Sequence, residues 1–364
     1  MPGPPEQTPA QKSLLRALDD VDAIKSLDSQ DQFGMVAGLA DQVIDAYRAG
    51  ADIIEDGGGE VGGITVAGMG GSAIGGDMVA AAYGESLPGS MSTVRGYSLP
   101  GWVSGRSLVF AVSYSGNTEE TVSVLGEALE RGCRVVCIST GGAVGRIAAE
   151  RELPLVEVPS RLQPRAAMGY LSIPLAACLE SLGLVEDVGG DVEETASVLE
   201  GLSVQYSPEN PAEGNPAKQL AVQLKDKIPV IYGCELTAVA SNRWKCQINE
   251  NAKSLAFFNE FPELNHNEIV GWEQPQALIG EFRVIYLRDS YNHPQNDRRM
   301  EITADLLSGG AGGIYSHSSS GESRLARLFS SIYLGDYVSL YLAVLNGVDP
   351  SPVARIEDLK KRLG

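Results

Sequence analysis

Two short stretches of this 364-residue chain set glycine beside hydroxyl side chains, each where an apolar run gives way to a helical one. The first is Gly68-Met69-Gly70-Gly71-Ser72-Ala73-Ile74-Gly75-Gly76-Asp77, following Ile64-Thr65-Val66-Ala67. The second is Ser113-Tyr114-Ser115-Gly116-Asn117-Thr118, following the run Ser107 to Val112. A turn from a strand's end into a helix offers amides that lack intrahelical partners, and the helix dipole favours negative charge there. Glycine lets a ligand approach the backbone closely. Three chemistries compete for the first loop. A Walker A loop needs a lysine that is missing. A dinucleotide fingerprint fits Gly68-x-Gly70-x-x-Ala73, yet the next strand, near 91–94, ends in Arg95-Gly96-Tyr97 where an acid should hold the ribose. A phosphomonoester loop is the third, and the second stretch supports it: hydroxyls and amides can satisfy a terminal phosphate with little help from lysine. Helix capping explains one hydroxyl per loop, but not Ser113, Ser115 and Thr118 together.

The second half holds groups that could move protons. Glu250 lies in Asn249-Glu250-Asn251-Ala252-Lys253. Alone it reads as a solvated helix residue; its amide and lysine neighbours point to a site. His266, one of 3 histidines, stands among amides and carboxylates in Glu263-Leu264-Asn265-His266-Asn267-Glu268. A partly buried glutamate can act as a base beside a carbonyl, and histidine can both give and take a proton near neutral pH. His266, His293 and His317 have no zinc spacing. Lys360-Lys361-Arg362 by itself reads as charge at a helix C-terminus.

The elements that must position these groups alternate between strand and helix. Strands fit 64–67, 91–94, 107–112, 134–138 and 155–158, with helices between. Residues 164–204 read as helical with a break at Gly189-Gly190, and Tyr206 to Pro211 reads as a linker. The rhythm restarts with a strand at 228–233, a helix over 236–252, a strand within 277–287, a helix at 298–307, a strand at 313–316, a long apolar helix at 323–345 and a last helix from 353. The Pro-rich first ten residues read as disordered, and helical periodicity follows within 14–18 and 35–47. This predicts an α/β fold with parallel sheets covered by helices on both faces, divided into 1–204 and 205–364.

Composition excludes several classes. With 28 Lys+Arg against 47 Asp+Glu the formal charge is −19, which opposes nucleic acid and anionic membranes. No basic helix-turn-helix segment is seen. No unbroken run of 18 apolar residues predicts a membrane-spanning helix, and the start lacks the features of a signal peptide. The 5 cysteines are widely spaced, without CxxC, and read as buried reduced thiols in a cytoplasmic protein.

At the two loops the sequence resembles the sugar isomerase (SIS) domain superfamily, which binds phosphosugars. Asn249-Glu250-Asn251-Ala252-Lys253 and Phe261-Pro262-Glu263-Leu264-Asn265-His266-Asn267-Glu268 narrow the resemblance to the bifunctional phosphoglucose/phosphomannose isomerase family. Pro164-Arg165-Ala166-Ala167, Tyr333 to Tyr337 and Gly347 to Pro350 look similar as well. The resemblance implies two SIS-type subdomains and a phosphorylated hexose as substrate, interconverted between aldose and ketose through a cis-enediol without cofactor or metal. It implies Glu250 as the base and His266 as the ring-opening group, donated across a homodimer interface. Arg165 falls near the reacting carbons and Lys360, beside Lys361, at the active lysine. Gly71, Ser72, Ser113, Ser115 and Thr118 match the phosphate site. Two other readings stay open: a non-catalytic sugar-phosphate sensor of the same superfamily, and, on Gly68-x-Gly70-x-x-Ala73 alone, a nucleotide-dependent dehydrogenase.

Overall fold

Apolar runs of four to seven residues alternate with amphipathic helices in both halves, a pattern that produces parallel strands joined by crossovers. The computed structural model describes residues 8–53, 61–308 and 313–363. The described residues form two compact units, those of 38–200 with 320–329, and those of 1–37, 201–319 and 330–364.

The first unit carries β1 (Ile64–Ala67), β2 (Met91–Val94), β3 (Leu108–Ser113), β4 (Arg134–Ser139) and β5 (Leu155–Glu157), all parallel, in the order β2-β1-β3-β4-β5. β1 and β3 lie inside the sheet and are buried throughout, which explains their unbroken apolar sequences. On one face Val109, Ala111, Val135 and Cys137 pack with Val124, Leu125 and Ala128 of the helix Glu119–Glu130. The chain runs from β1 outward to β2, and from β3 outward the other way to β4. The order therefore reverses between β1 and β3, and a crevice opens at their C-terminal ends. Both glycine–hydroxyl loops follow those two strands.

The second unit repeats this topology with β6 (Ile228–Cys234), β7 (Phe257–Phe261), β8 (Phe282–Arg288) and β9 (Ile314–Ser318), parallel, in the order β7-β6-β8-β9. β7 has no counterpart in the sequence reading. It is an edge strand with Phe257 and Phe258 exposed, so it lacks the alternation that marks a half-buried strand. β8 takes the later part of the range 277–287 in which a strand is expected, because Gln276–Ile279 forms a helical turn.

The expected helix over 164–204 is three pieces: a 3-10 turn at Pro164–Ala166 and helices Met168–Ser181 and Val188–Tyr206. Its main break falls at 182–187 and not at Gly189-Gly190. Gly183 adopts a left-handed φ of 68° there and donates its amide to Glu180 O, a C-terminal stop that a glycine supplies cheaply. Gly189 and Gly190 lie in the first turn of the next helix. Order also begins earlier than expected. Thr8 and Gln11 form a capping box on the helix Pro9–Ala17. Residues 1–7 of the Pro-rich start, and the Gly57–Gly59 run, lie outside the described residues.

Residues 8–37 belong with the second sheet for physical reasons. Phe33 packs at a tilt against Tyr341 at 5.1 Å and Tyr337 at 6.2 Å, on the long helix Arg324–Asn346. Asp19 accepts from the buried Lys218 ammonium at 3.0 Å and from Ala212 N at 2.8 Å. The helix Arg324–Asn346 is long and apolar enough to cross a membrane, although scattered polar residues interrupt its apolar runs; 89% of its most apolar window is buried within the protein, as in a core helix.

That helix fixes the helix Leu236–Asn251, which carries Glu250. Arg243 Nη2 donates to Asp336 Oδ2 at 2.7 Å, Gln247 Nε2 to Asp336 Oδ1 at 2.9 Å, and Trp244 Nε1 to Ser331 O at 2.8 Å. The string Tyr333 to Tyr337 is thus where the core helix grips its neighbour.

Candidate active site

In the first unit, β1 ends in a turn whose last residue, Gly70, sits at φ 53°, ψ −124°, and the helix Gly71–Tyr83 starts there, its N-cap glycine offering no side chain to cap it. Ser72 is buried in its first turn. β3 ends at Ser113, whose Oγ lies 2.9 Å from Thr118 Oγ1. Thr118 holds the N-cap position of the helix Glu119–Glu130, yet makes no side-chain capping bond. Capping therefore does not account for these hydroxyls. The residue that does cap is Asn117, whose Oδ1 accepts from Ala143 N at 3.0 Å in the next helix, Gly142–Glu150. Ser115 is exposed at the tip, its Oγ accepting from Asn117 N at 3.3 Å. Gly116 is required: its φ is +68°, and a Cβ there would lie 1.8 Å from Gly141 O. Gly71, Ser72, Ser113, Ser115 and Thr118 thus sit on the two turns that flank the crevice of one sheet. Uncapped helix starts and hydroxyls there suit a phosphate oxygen.

Arg165 lies in the 3-10 turn Pro164–Ala166, only 5% exposed, and that turn packs against the start of the helix Gly71–Tyr83. At the end of β2, Arg95 pairs with Asp77, so a cation stands where a dinucleotide site would need its ribose acid.

The second unit holds the other candidates. Asn249 Oδ1 accepts from Ala256 N at 3.0 Å, and Asn251 Nδ2 donates to Ser339 Oγ at 2.9 Å. Lys253, in a left-handed conformation, donates to Glu250 O at 2.6 Å and Pro350 O at 2.9 Å. The amides and the lysine therefore hold the end of the helix, and Glu250 stands half-buried among them. His266 is exposed at the end of the 3-10 turn Glu263–His266, which Leu264 anchors in the core. Around it Asn265 Nδ2 donates to Thr303 Oγ1 at 2.8 Å, and Asn267 Nδ2 to Glu263 Oε1 at 2.8 Å. Glu268 accepts from the Tyr232 hydroxyl and from Asn259 Nδ2. The polar neighbours that single out His266 in sequence thus stiffen the turn that presents it. Lys360 and Lys361 are both exposed on the helix Ala354–Leu363, none of whose residues is buried.

Glu250 and His266 lie at opposite ends of the second sheet. The helix descends from the C-terminal end of β6 to Glu250, near the start of β7, where Asn249 holds Ala256. His266 follows the C-terminal end of β7. The length of β7, ~17 Å, runs between these two ends.

One feature escaped the sequence altogether. The second crevice, between β6 and β8, has a non-glycine residue where the first has Gly70: Glu235, at φ 48°, ψ −112°. Its carboxylate accepts from His293 N at 3.2 Å and from Asn296 Nδ2 at 2.9 Å, at the start of the helix Pro294–Leu307. The helix Pro294–Leu307 is itself capped by His293, whose Nδ1 accepts from Gln295 N at 3.1 Å, whereas Thr118 makes no such bond at the matching helix of the first unit.

Two doubly wound parallel sheets, one with an uncapped hydroxyl cradle at its switch point, define the SIS class of phosphosugar protein. Residues 213–363 match the bacterial phospho-glucose isomerase C-terminal SIS domain. Over 270 residues the chain is 50% identical to the bifunctional phosphoglucose/phosphomannose isomerase of Caldicellulosiruptor bescii, covering 74% of this chain and 80% of that one. The enzyme of the same description from Aquifex aeolicus is 38% identical over 271 residues, 74% and 80% of the two chains. In fold, a glucose-6-phosphate isomerase like protein of Thermus thermophilus aligns with a TM-score of 0.59 at 19% identity, covering 93% of this chain and 99% of that one. The chain belongs to the bifunctional phosphoglucose/phosphomannose isomerase family and is a phosphosugar isomerase.

Proposed function

We propose that this enzyme interconverts glucose 6-phosphate, mannose 6-phosphate or both with fructose 6-phosphate, without cofactor or metal. The observation that carries the reading is the Ser113–Thr118 hydroxyl pair, which flanks the crevice and is not spent on capping. The phosphate is held by Gly71, Ser72, Ser113, Ser115 and Thr118. After ring opening, Glu250 carries a proton between C1 and C2 through a cis-enediol. The Arg165 guanidinium stabilises the enediolate oxygen, and Lys360 supplies a second cation. His266 opens the ring, and it comes from the second subunit of a homodimer. The position of His266 at the far end of β7 from Glu250 supports this, as do the exposed Phe257 and Phe258 on the same edge strand. The five cysteines are free thiols, which supports a reducing, cytoplasmic setting.

Fructose 6-phosphate formation from each aldose, measured with EDTA present, tests the reading. Turnover of at least one sugar is expected, with Glu250→Gln losing ~10³-fold or more while still binding substrate. Failure to turn over either sugar, or an unimpaired Glu250→Gln, refutes it; tight binding without turnover would indicate a sensor. Mixed dimers of Glu250→Gln and His266→Ala subunits should recover activity, because one of the two sites then has both groups intact.

A further inference from the structure

Tyr114 stands between Ser113 and Ser115 in the second phosphate turn, but its side chain points away from solvent and is buried. Its hydroxyl donates to Pro159 O at 2.6 Å and accepts from Leu162 N at 2.9 Å. Burial pushes the phenol's pKa up, so it keeps the proton it donates. Residues 159–162 lead directly into the 3-10 turn that holds Arg165. That turn is gripped at two further places. The buried Gln42 donates from Nε2 to Ala166 O at 2.9 Å, and Pro164 O lies against Gly71, the first residue of the other phosphate helix. Loop segments have few backbone partners of their own, so such side-chain bonds decide where they rest.

We propose that Tyr114 is a positioning residue that ties the Arg165 segment to the phosphate cradle, so that the guanidinium is set relative to the anchored phosphate. The hydroxyl spends its two bonds within the protein, on Pro159 O and Leu162 N. It links two stretches that substrate would engage at different ends, the phosphate at 113–118 and the reacting carbons at Arg165. This deepens the role given to Arg165 above and rests on it. A misplaced guanidinium weakens enediolate stabilisation, which lowers kcat, whereas the phosphate cradle itself keeps its hydroxyls.

Tyr114→Phe in the full chain removes the hydroxyl and keeps the ring. The expected result is a kcat for fructose 6-phosphate formation lower by roughly tenfold, with KM within about twofold and faster amide exchange at 159–166. In an Arg165→Gln background the same substitution should cost little more, because both changes remove one function. Unchanged kcat in Tyr114→Phe, or losses that multiply in the double variant, would overturn the proposal. Wild-type turnover in Arg165→Gln alone would instead refute the role given to Arg165. The tether is then judged by exchange: protection kept at 159–166 in Tyr114→Phe overturns it, and protection lost supports it.

Discussion

Replacing Asp336 by alanine strips a buried guanidinium of the carboxylate that faces it. Arg243 and Asp336 are each 2% exposed, 2.7 Å apart, and Gln247 Nε2 also donates to the same carboxylate at 2.9 Å. At an effective dielectric of about 20, charges ~4 Å apart attract by about 4 kcal/mol. Removing one member of a buried pair costs about 3–5 kcal/mol, because the survivor stays desolvated. Gln247 loses its acceptor as well, so we expect the upper part of that range. Domains are stable by only about 5–15 kcal/mol, so the loss should show clearly in urea unfolding followed by tryptophan fluorescence, Trp244 being buried beside the pair. The double variant Arg243→Met with Asp336→Leu should regain most of the stability, because an apolar pair of similar volume carries no desolvation penalty. Activity should fall too: Glu250 lies two turns along the helix from Arg243. A loss below about 1 kcal/mol for Asp336→Ala, or a double variant no better than the single one, would refute this account of how the two helices are joined.

Three further outcomes can be measured. Gly116→Ala puts a side chain at φ +68° and 1.8 Å from Gly141 O, so KM for the phosphosugar should rise at least tenfold, with a stability cost of about 2 kcal/mol or more by thermal unfolding. Burial lowers the pKa of His317 to about 4, and its Nε2 is buried without a partner among the described residues. Below the unfolded value near 6.5 only the unfolded chain gains that proton, so stability should fall as pH drops from about 6.5 to 4, by up to about 3 kcal/mol, and His317→Gln should flatten this slope in denaturation curves. Thr118→Val keeps the helix start, since Thr118 does not cap it, and should weaken phosphosugar binding several-fold by titration calorimetry without changing the melting temperature by more than a few degrees.

Much of the fold is visible in local pattern. The inner strands β1 and β3 are buried on both sides, and their sequences are correspondingly apolar from end to end. The two glycine–hydroxyl turns are visible because each follows an apolar strand and sets glycine beside hydroxyl residues within a few positions. β7 is not visible, because an edge strand with exposed phenylalanines need not alternate. The break at 182–187 is hidden for a related reason: two glycines in a row suggest an end, but the chain stops at the single glycine that turns left-handed. Around Glu250 and His266 the polar residues are legible and their purpose is not. Asn249, Asn251, Asn265 and Asn267 satisfy backbone and side-chain partners at the ends of elements, which sequence cannot distinguish from contact with a ligand.

By itself the sequence determined the alternation of strand and helix, the two glycine–hydroxyl turns and the motifs of the isomerase family, all of which depend on residues near one another in the chain. The tertiary structure decided the rest. It brought the turns after β1 and β3 to one crevice, grouped residues 8–37 with the second sheet through Phe33 and Asp19, and filled the second crevice with Glu235. It also put Glu250 and His266 at opposite ends of one sheet. The physical reason is that strand order and long-range pairing are set by which faces can be buried together, and that is a property of the whole chain rather than of any window within it.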